Sequence, residues 1–391
     1  MIKYVIKSRK KIVWILAIVI NISLISYAQP AENDIRKNSS SASRVISGYF
    51  DSEFFGRELL DSSFIAHHFV LGMSSRLSKR LLINSEIALD YGGKVNGGNN
   101  NNTGEITMQQ AWFDFKINNV LTQRTGIIMV PFGRASSIYN SNHRETTQRP
   151  LYSTFIVPST WVDSGVGVYG VTRYSNWFKS GKGLIGTSKY ADMEIYFQAY
   201  IINGLGSSID ARNGLRNARP GFQQDNNGDK AVVTRLWASP MKGLEVGTSM
   251  YNGNFDDNGR NGMFMLGADV FYKYDQYEVV AEVAMVNLDG VEDVPNKMSG
   301  SYLEVRADVL QKELIRFLPM LESPSIKAFV RIGTVNTDKD THYVTHRAMI
   351  GFNFRPIKSI VYKCEYQLED YDQPSNNFSA EALYLSVALE F

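Results

Sequence analysis

The sequence has 391 residues, of which 41 are basic and 39 are acidic, so its formal net charge at neutral pH is only +2. This balance gives no sign of a nucleic-acid-binding surface, and we expect no nucleic-acid partner. The single cysteine, Cys364, excludes an internal disulfide.

The first 28 residues have the pattern of a secretory signal peptide. Five basic residues precede a mostly apolar stretch at 12–25, which is shorter than the roughly twenty residues of a transmembrane helix. Small residues at Ser26 and Ala28 match the two positions that a signal peptidase reads. Cleavage there would leave 36 basic side chains of the 41, against 39 acidic ones. An uncleaved membrane anchor is the alternative. Residues 29–43 are polar and serine-rich, which predicts a flexible periplasmic lead-in.

Residues 44–391 predict an all-β fold, a transmembrane antiparallel β-barrel of about 16 strands. Apolar and polar residues alternate with a period of two, as in 302–309, where Leu303 and Val305 oppose Glu304 and Arg306. Most candidate strands are about nine to thirteen residues long, the length of a tilted membrane strand. A large soluble all-β protein is the competing interpretation, and strand length together with the signal peptide argues against it.

The connections alternate in length, as do the short periplasmic turns and long extracellular loops of outer-membrane barrels. Short turns are predicted at 78–80, 118–119, 241–242, 275–276 and Pro356. Long polar loops are predicted at 92–104, 133–160, 204–229, 253–262, 289–298, 336–343 and 370–379. Two turns on the short side are longer: 175–190 is expected to be irregular, and 311–323 could hold a short amphipathic helix.

The last candidate strand, residues 380–391, is expected to close the barrel by pairing with the first strand, near 45–55. One face of this strand is apolar and would be covered by lipid. It consists of Leu383, Leu385, Val387, Leu389 and Phe391. A strand that ends in an aromatic residue resembles the closing strand of bacterial outer-membrane barrels.

No catalytic, cofactor-binding or metal site is predicted. Two G-x-G-x-x-G matches, at 165–170 and 181–186, lie in a strand candidate and in a polar turn, whereas a dinucleotide site needs a strand, a turn and a helix. The carboxylates of 225–229 lack the glycine and the twelfth-position acid of a calcium loop. The five histidines are scattered without a metal-ligand spacing. We find no nucleophile motif, so an enzyme is not expected.

Two segments resemble the phosphate-selective porin O/P family: MQQAWFDF at 108–115 and GIIMVPFGR at 126–134. Trp161, the glycine-rich strand at 165–170 and YIING at 200–204 follow in the family's order. The resemblance implies a sixteen-stranded barrel, a homotrimer, and a third extracellular loop that folds inward and narrows the pore. Phosphate selectivity in that family rests on an arginine ladder and a lysine cluster. The third loop here, 133–160, contains no lysine, so the architecture alone is carried over.

These patterns predict a porin in the outer membrane of a Gram-negative-type bacterium, in contact with outer-membrane lipid. Small hydrophilic solutes would diffuse through its water-filled channel, and the basic residues from Lys327 to Lys363 favour anionic, phosphate-like ones. The alternatives are an adhesin or surface scaffold that works through its loops, and an outer-membrane enzyme. The candidates for the pore lining or constriction are Arg124, Arg134, Arg144, Glu145, Arg149, Arg235, Glu282, Arg306, Lys327, Arg331, Arg347 and Lys363.

Overall fold

The computed structural model describes residues 43–57, 60–93, 104–173, 193–219, 221–222, 225–310, 321, 324–374 and 377–391. The expected signal peptide, the lead-in up to residue 42, the turn at 175–190 and all of the turn at 311–323 except residue 321 lie outside this range. Within it, no helix is both long and apolar enough to span a membrane.

Sixteen antiparallel strands form one closed barrel, in which each strand pairs with its neighbours in sequence and β1 pairs with β16. The predicted fold class is confirmed. The strands are β1 Ser43–Arg57, β2 Leu60–Arg76, β3 Leu81–Asp90, β4 Glu105–Lys116, β5 Leu121–Met129, β6 Val162–Arg173, β7 Glu194–Ile202, β8 Ala231–Met241, β9 Leu244–Asn254, β10 Gly262–Tyr274, β11 Tyr277–Leu288, β12 Lys297–Asp308, β13 Ser325–Asp338, β14 Tyr343–Ile357, β15 Ile360–Asp372 and β16 Phe378–Glu390.

The two faces of the strands differ as the alternation predicted. On β12, Glu304 is fully buried, whereas Leu303 and Val305 on the other face are 42% and 43% exposed. The same exposed apolar surface continues around the barrel, with Leu236, Val330, Ile332, Ile350 and Leu368. Exposed apolar area on this scale is unusual for a protein surrounded by water, and it suits a wall that faces lipid.

The seam between the first and last strands follows the predicted pairing. Phe50 lies opposite Leu389, and the backbones of Gly48 and Phe391 exchange two hydrogen bonds of 2.9 and 3.0 Å. The inward face of β16 carries Ala382 and Ala388, both buried. Closure leaves no free sheet edge, which a barrel in lipid requires.

One predicted turn is wrong. Pro356 lies within β14, and the chain reverses at residues 358–359, between Ile357 and Ile360. The pairing with β15 shifts between Phe354 and Ile357. A bulge of this kind accommodates a proline, which has no backbone N–H to donate to the neighbouring strand.

Candidate functional site: the third loop inside the barrel

The third loop, residues 130–161, connects β5 to β6 and turns into the barrel at its start. Gly133 has a φ of 70°, a left-handed conformation that glycine adopts without strain. Its N–H donates to Ser249 Oγ on β9 at 3.0 Å. The next two N–H groups, of Arg134 and Ala135, donate to the two carboxylate oxygens of Glu282 on β11 at 2.7 and 2.8 Å. The wall thus fixes the direction in which the loop leaves β5.

The middle of the loop reaches the opposite wall. The N–H groups of Thr147 and Gln148 donate to the two oxygens of Glu365 on β15, both at 2.9 Å. Glu145 accepts a 2.7 Å hydrogen bond from Lys327 on β13. In a ring of sixteen strands β13 lies eight strands from β5, so the loop crosses the interior of the barrel.

The basic side chains of this far wall bind the loop. Each of four cations of β13, β14 and β15 donates to a main-chain oxygen of the loop: Arg331 to Gln148 O at 2.9 Å, Arg347 to Arg149 O at 3.0 Å, Arg355 to Asn142 O at 2.7 Å and Lys363 to Ser141 O. These are the residues from which the sequence predicted a basic channel wall. They are engaged in holding the loop across the barrel.

Carboxylates neutralise much of the remaining positive charge. Glu304, fully buried, forms ion pairs with Arg306 and Arg331. Elsewhere on the wall, Asp114 pairs with Arg124 through two hydrogen bonds of 2.8 and 2.9 Å. Such partners stabilise buried charges, because removing one partner of a buried pair costs about 3–5 kcal/mol.

Two arginines of the loop lack such a partner. Among the described residues, Arg144 and Arg149 have no carboxylate within ion-pair distance, and each donates to a loop carbonyl at 3.0 Å, of Thr147 and Tyr139 respectively. The Nε atom of Arg144 is buried without a hydrogen bond. Burial and then the neighbouring charge of Arg144 lower the pKa of Arg149 to about 9. Both guanidinium groups would gain from an anion at this place.

Arg144 and Arg149 line a cavity of about 50 Å³ between the loop and the wall. This is several times the roughly 10–15 Å³ that one water molecule needs. Its charged lining consists of Arg134, Arg144, Glu145, Arg149, Glu304, Arg306 and Arg331, with His143 beside them. The structure therefore brings six of the predicted constriction residues to one cavity.

The other six predicted residues lie elsewhere. Lys327, Arg347 and Lys363 hold the loop, and Glu282 anchors its start. Arg235 pairs with Asp269 at 2.8 Å. Arg124 pairs with Asp114 and stacks over the Trp112 ring at 3.6 Å. Whether any of the twelve lines an open pore stays a prediction.

An apolar core fills one side of the barrel. Phe132, Tyr152, Ile156 and Trp161 of the third loop are fully buried or nearly so, as are residues of the fourth loop, 203–230. The two loops are joined where the N–H of Leu215 donates to Phe155 O at 2.8 Å. Sequence reasoning missed this core, because apolar residues in long loops carry no periodicity.

A second cavity, of about 150 Å³, lies on the other side of the loop. Its wall comes from Ser47, Gly48, Val70, Gly72, Glu86 and Glu390 of β1, β2, β3 and β16. Its other side comes from Ser137, Tyr139, Asn140 and His143 of the loop. The Tyr139 hydroxyl donates to Glu86 at 2.8 Å. Small residues on this part of the wall leave space that the apolar side does not have.

No protein-family profile matches the chain. A protein of Aquifex aeolicus (strain VF5), described as uncharacterized, is 22% identical over 362 residues, which are 85% of this chain and 77% of that protein.

Solved structures resemble the barrel over nearly its whole length. The anion-selective porin from Comamonas acidovorans has a TM-score of 0.57 at 10% identity, over 90% of this chain and 100% of its own. The outer membrane channel DcaP of Acinetobacter baumannii has a TM-score of 0.55 at 12% identity, over 91% and 99%. OmpT, an outer membrane protein of Vibrio cholerae in a trimer form, has a TM-score of 0.55 at 10% identity, over 90% and 100%. The chain has the barrel fold of outer-membrane porins.

Proposed function

We propose that the protein is an outer-membrane porin through which small hydrophilic solutes diffuse passively. A sixteen-stranded barrel is wide enough for an aqueous channel, unlike an eight-stranded one filled by its own side chains. The observation that carries the proposal is the third loop, held by hydrogen bonds to β9 and β11 at its start and to β13, β14 and β15 at its middle. Such a loop narrows a wide barrel but does not close it, because the apolar core fills only one side of the interior.

We place the passage between the third loop and the wall formed by β16, β1, β2 and β3. The cavity of about 150 Å³ lies there, and the apolar core fills the opposite side. On this path a solute would pass Glu86, Tyr139 and His143, which suits hydrated solutes better than apolar ones.

We further propose a preference for anions, phosphate-like ones included. Its support is the pair Arg144 and Arg149, which have no carboxylate partner among the described residues. They line the smaller cavity beside Arg306 and Arg331, and Arg149 reaches the passage through its hydrogen bond to the main-chain oxygen of Tyr139, which lines it. Selectivity depends on the charges at the narrowest part of a channel more than on the mean charge of the wall. The basic side chains of β13, β14 and β15 contribute less to selectivity, because they already donate hydrogen bonds to oxygens of the third loop.

The cellular setting belongs to the same proposal. The signal-peptide pattern and the exposed apolar wall support insertion into an outer membrane in contact with its lipid. The resemblance to the phosphate-selective porin O/P family and the trimer form of the Vibrio cholerae OmpT support a homotrimer. We propose no catalytic activity.

Liposome swelling tests the passage of solutes. Proteoliposomes that carry the protein should swell in isotonic solutions of small neutral sugars. The rate of swelling should fall as the molecular size of the sugar increases. The reversal potential in a salt gradient then measures the preference for anions over cations. Its sign should be that of an anion-selective pore. Liposomes that swell no faster than empty ones would contradict the porin proposal and favour the surface-scaffold alternative.

A further inference from the structure

Two adjacent histidines share one face of β2 because of a bulge. Asp51 of β1 pairs with His68, and the next residue, Ser52, pairs with Ala66, so His67 is the extra residue between them. In a regular strand neighbouring side chains point to opposite faces. Here the two imidazole rings lie 3.9 Å apart, centroid to centroid. Bulges often re-aim a side chain in this way beside a functional site.

Both imidazoles meet the same carboxylate. Nδ1 of His68 lies 3.0 Å from one oxygen of Asp51, and Nδ1 of His67 lies 3.5 Å from the other. The three potential ligand atoms all lie within 4.8 Å of one another. In a tetrahedral zinc site with bonds of about 2.0–2.1 Å, neighbouring ligand atoms are about 3.3 Å apart. Small side-chain rotations would therefore bring these atoms around one ion.

The surroundings supply further ligands. Glu53 Oε2 lies 3.7 Å from Nδ1 of His67, close enough to be the fourth ligand of the same ion. Asp90 Oδ1 lies 3.7 Å from Nε2 of His68, where it would accept a hydrogen bond once Nδ1 binds metal. A carboxylate behind a ligating histidine is the usual second partner in zinc sites.

Two atoms of the cluster lack a hydrogen-bond partner. Nδ1 of His67 and Oδ1 of Asp90 are buried and make no hydrogen bond, and buried polar groups are normally satisfied. Asp51, Glu53 and Asp90 place three carboxylates around the two imidazoles. Arg149, Arg144 and Arg219 act electrostatically on Asp51, Glu53 and Asp90 respectively. Among the described residues, the charged groups within ion-pair distance of the imidazoles are carboxylates, which suits a positive ion.

We propose that Asp51, His67 and His68 bind a divalent transition-metal ion of the zinc class on the inner wall of the barrel. Two imidazoles favour Zn²⁺, Cu²⁺ or Ni²⁺, whereas Mg²⁺ and Ca²⁺ prefer oxygen ligands alone. Glu53 and Asp90 complete and orient the site. The proposal is independent of channel activity. The sequence predicted no metal site, because the five histidines are scattered without a metal-ligand spacing.

Metal binding by the purified full-length barrel, made without a histidine tag, tests the proposal. Equilibrium dialysis against ZnCl₂ should give one bound Zn²⁺ for each chain, and CaCl₂ should not compete. His67→Gln and His68→Gln should each weaken binding at least about tenfold, and Asp90→Asn should weaken it by about tenfold as well. The control His346→Gln changes an exposed histidine on β14 and should bind as the unchanged protein does.

Two results would overturn the proposal: zinc binding that is the same in His67→Gln, His68→Gln and the control, or no zinc binding by the unchanged protein. A variant that does not fold loses its heat-modifiable migration on a gel. In that case the proposal is tested on the unchanged protein instead. Its Co²⁺ complex should show the visible absorption bands of a four-coordinate site with nitrogen ligands, and the spectrum of hexaaqua Co²⁺ would overturn the proposal equally. Neither readout needs a conducting channel.

Discussion

Glu145 Oε1 in the third loop accepts a 2.7 Å hydrogen bond from Nζ of Lys327 on β13, eight strands around the ring from the strand at which the loop begins. The other oxygen of Glu145 accepts from Asn353 Nδ2 at 2.7 Å and lies 3.3 Å from Arg355. One loop carboxylate thus binds β13 and β14 together. We infer that this contact keeps the loop in the cross-section of the barrel.

Replacing Glu145 by glutamine should loosen the third loop. Lys327 would lose its loop partner and Arg355 its carboxylate, at a cost of about 3 kcal/mol. Open-channel noise in planar bilayers should increase, and the mean conductance should rise. The control Glu292→Gln, an exposed residue between β11 and β12, should leave both unchanged. A quiet channel of unaltered conductance in Glu145→Gln would contradict the anchoring role.

Acid should loosen the same contact. Burial alone would raise the pKa of Glu145, but Lys327 and Arg355 outweigh it and lower the pKa from 4.5 to about 2. A carboxylate with a lowered pKa stabilises the fold above pH 4.5, and this contribution, about 3 kcal/mol, is lost as the pH falls towards 2. Channel noise should therefore increase between pH 4.5 and 2. The increase should be smaller in Glu145→Gln, and an identical acid response in both proteins would exclude Glu145 as its source.

Replacing Arg149 by glutamine should reduce the proposed anion preference. A unit charge at about 4 Å in water changes the energy of an ion by about 1 kcal/mol. The change has opposite signs for an anion and a cation, so the anion-to-cation permeability ratio should fall by a factor of up to about 30. The reversal potential in a KCl gradient measures this ratio. Arg212→Gln, which removes an exposed charge from the fourth loop, is the matched control. Equal reversal potentials in the two variants would place the selectivity elsewhere.

A bulky residue on the inner face of β1 should obstruct the proposed passage. Ser47 lines the cavity of about 150 Å³, while its neighbour Ile46 is 71% exposed on the outer face. Ser47→Trp should lower single-channel conductance, and Ile46→Trp should not. If the two tryptophan variants conduct equally, solutes take another path.

Gly133 should not tolerate a side chain. Its φ of 70° is unfavourable for alanine, and a Cβ would lie 2.6 Å from Glu282 Oε2 and 2.7 Å from the Tyr152 hydroxyl. Gly133→Ala should destabilise the barrel by about 1–3 kcal/mol, measured as a lower temperature of heat-modifiable migration. Gly221→Ala, where a Cβ meets nothing within 4 Å, should be neutral. Equal stability of the two variants would contradict a fixed turn at Gly133.

The strand pattern of the sequence was sufficient to predict the barrel. Leu303 and Glu304 face opposite sides as their alternation requires, since the period of a strand is fixed by its backbone. The alternation also predicted which side chains point inward. It could not predict their partners: Lys363 points inward, but it donates to Ser141 O of the loop.

Partners of this kind depend on contacts far apart in the sequence. Lys363 and Ser141 are 222 residues apart, and no local pattern connects them. The pair His67 and His68 was missed for a different reason. A bulge changes the face of one residue only, and the sequence around it, IAHHF at 65–69, carries no glycine or proline to mark it.

Single-channel recording in planar bilayers tests the central claim, that the third loop narrows a water-filled barrel, most directly. The unchanged protein should give discrete open steps in the nanosiemens range or near it, and Glu145→Gln should give larger and noisier ones. A correctly folded barrel that gives no conductance steps at all would contradict the account.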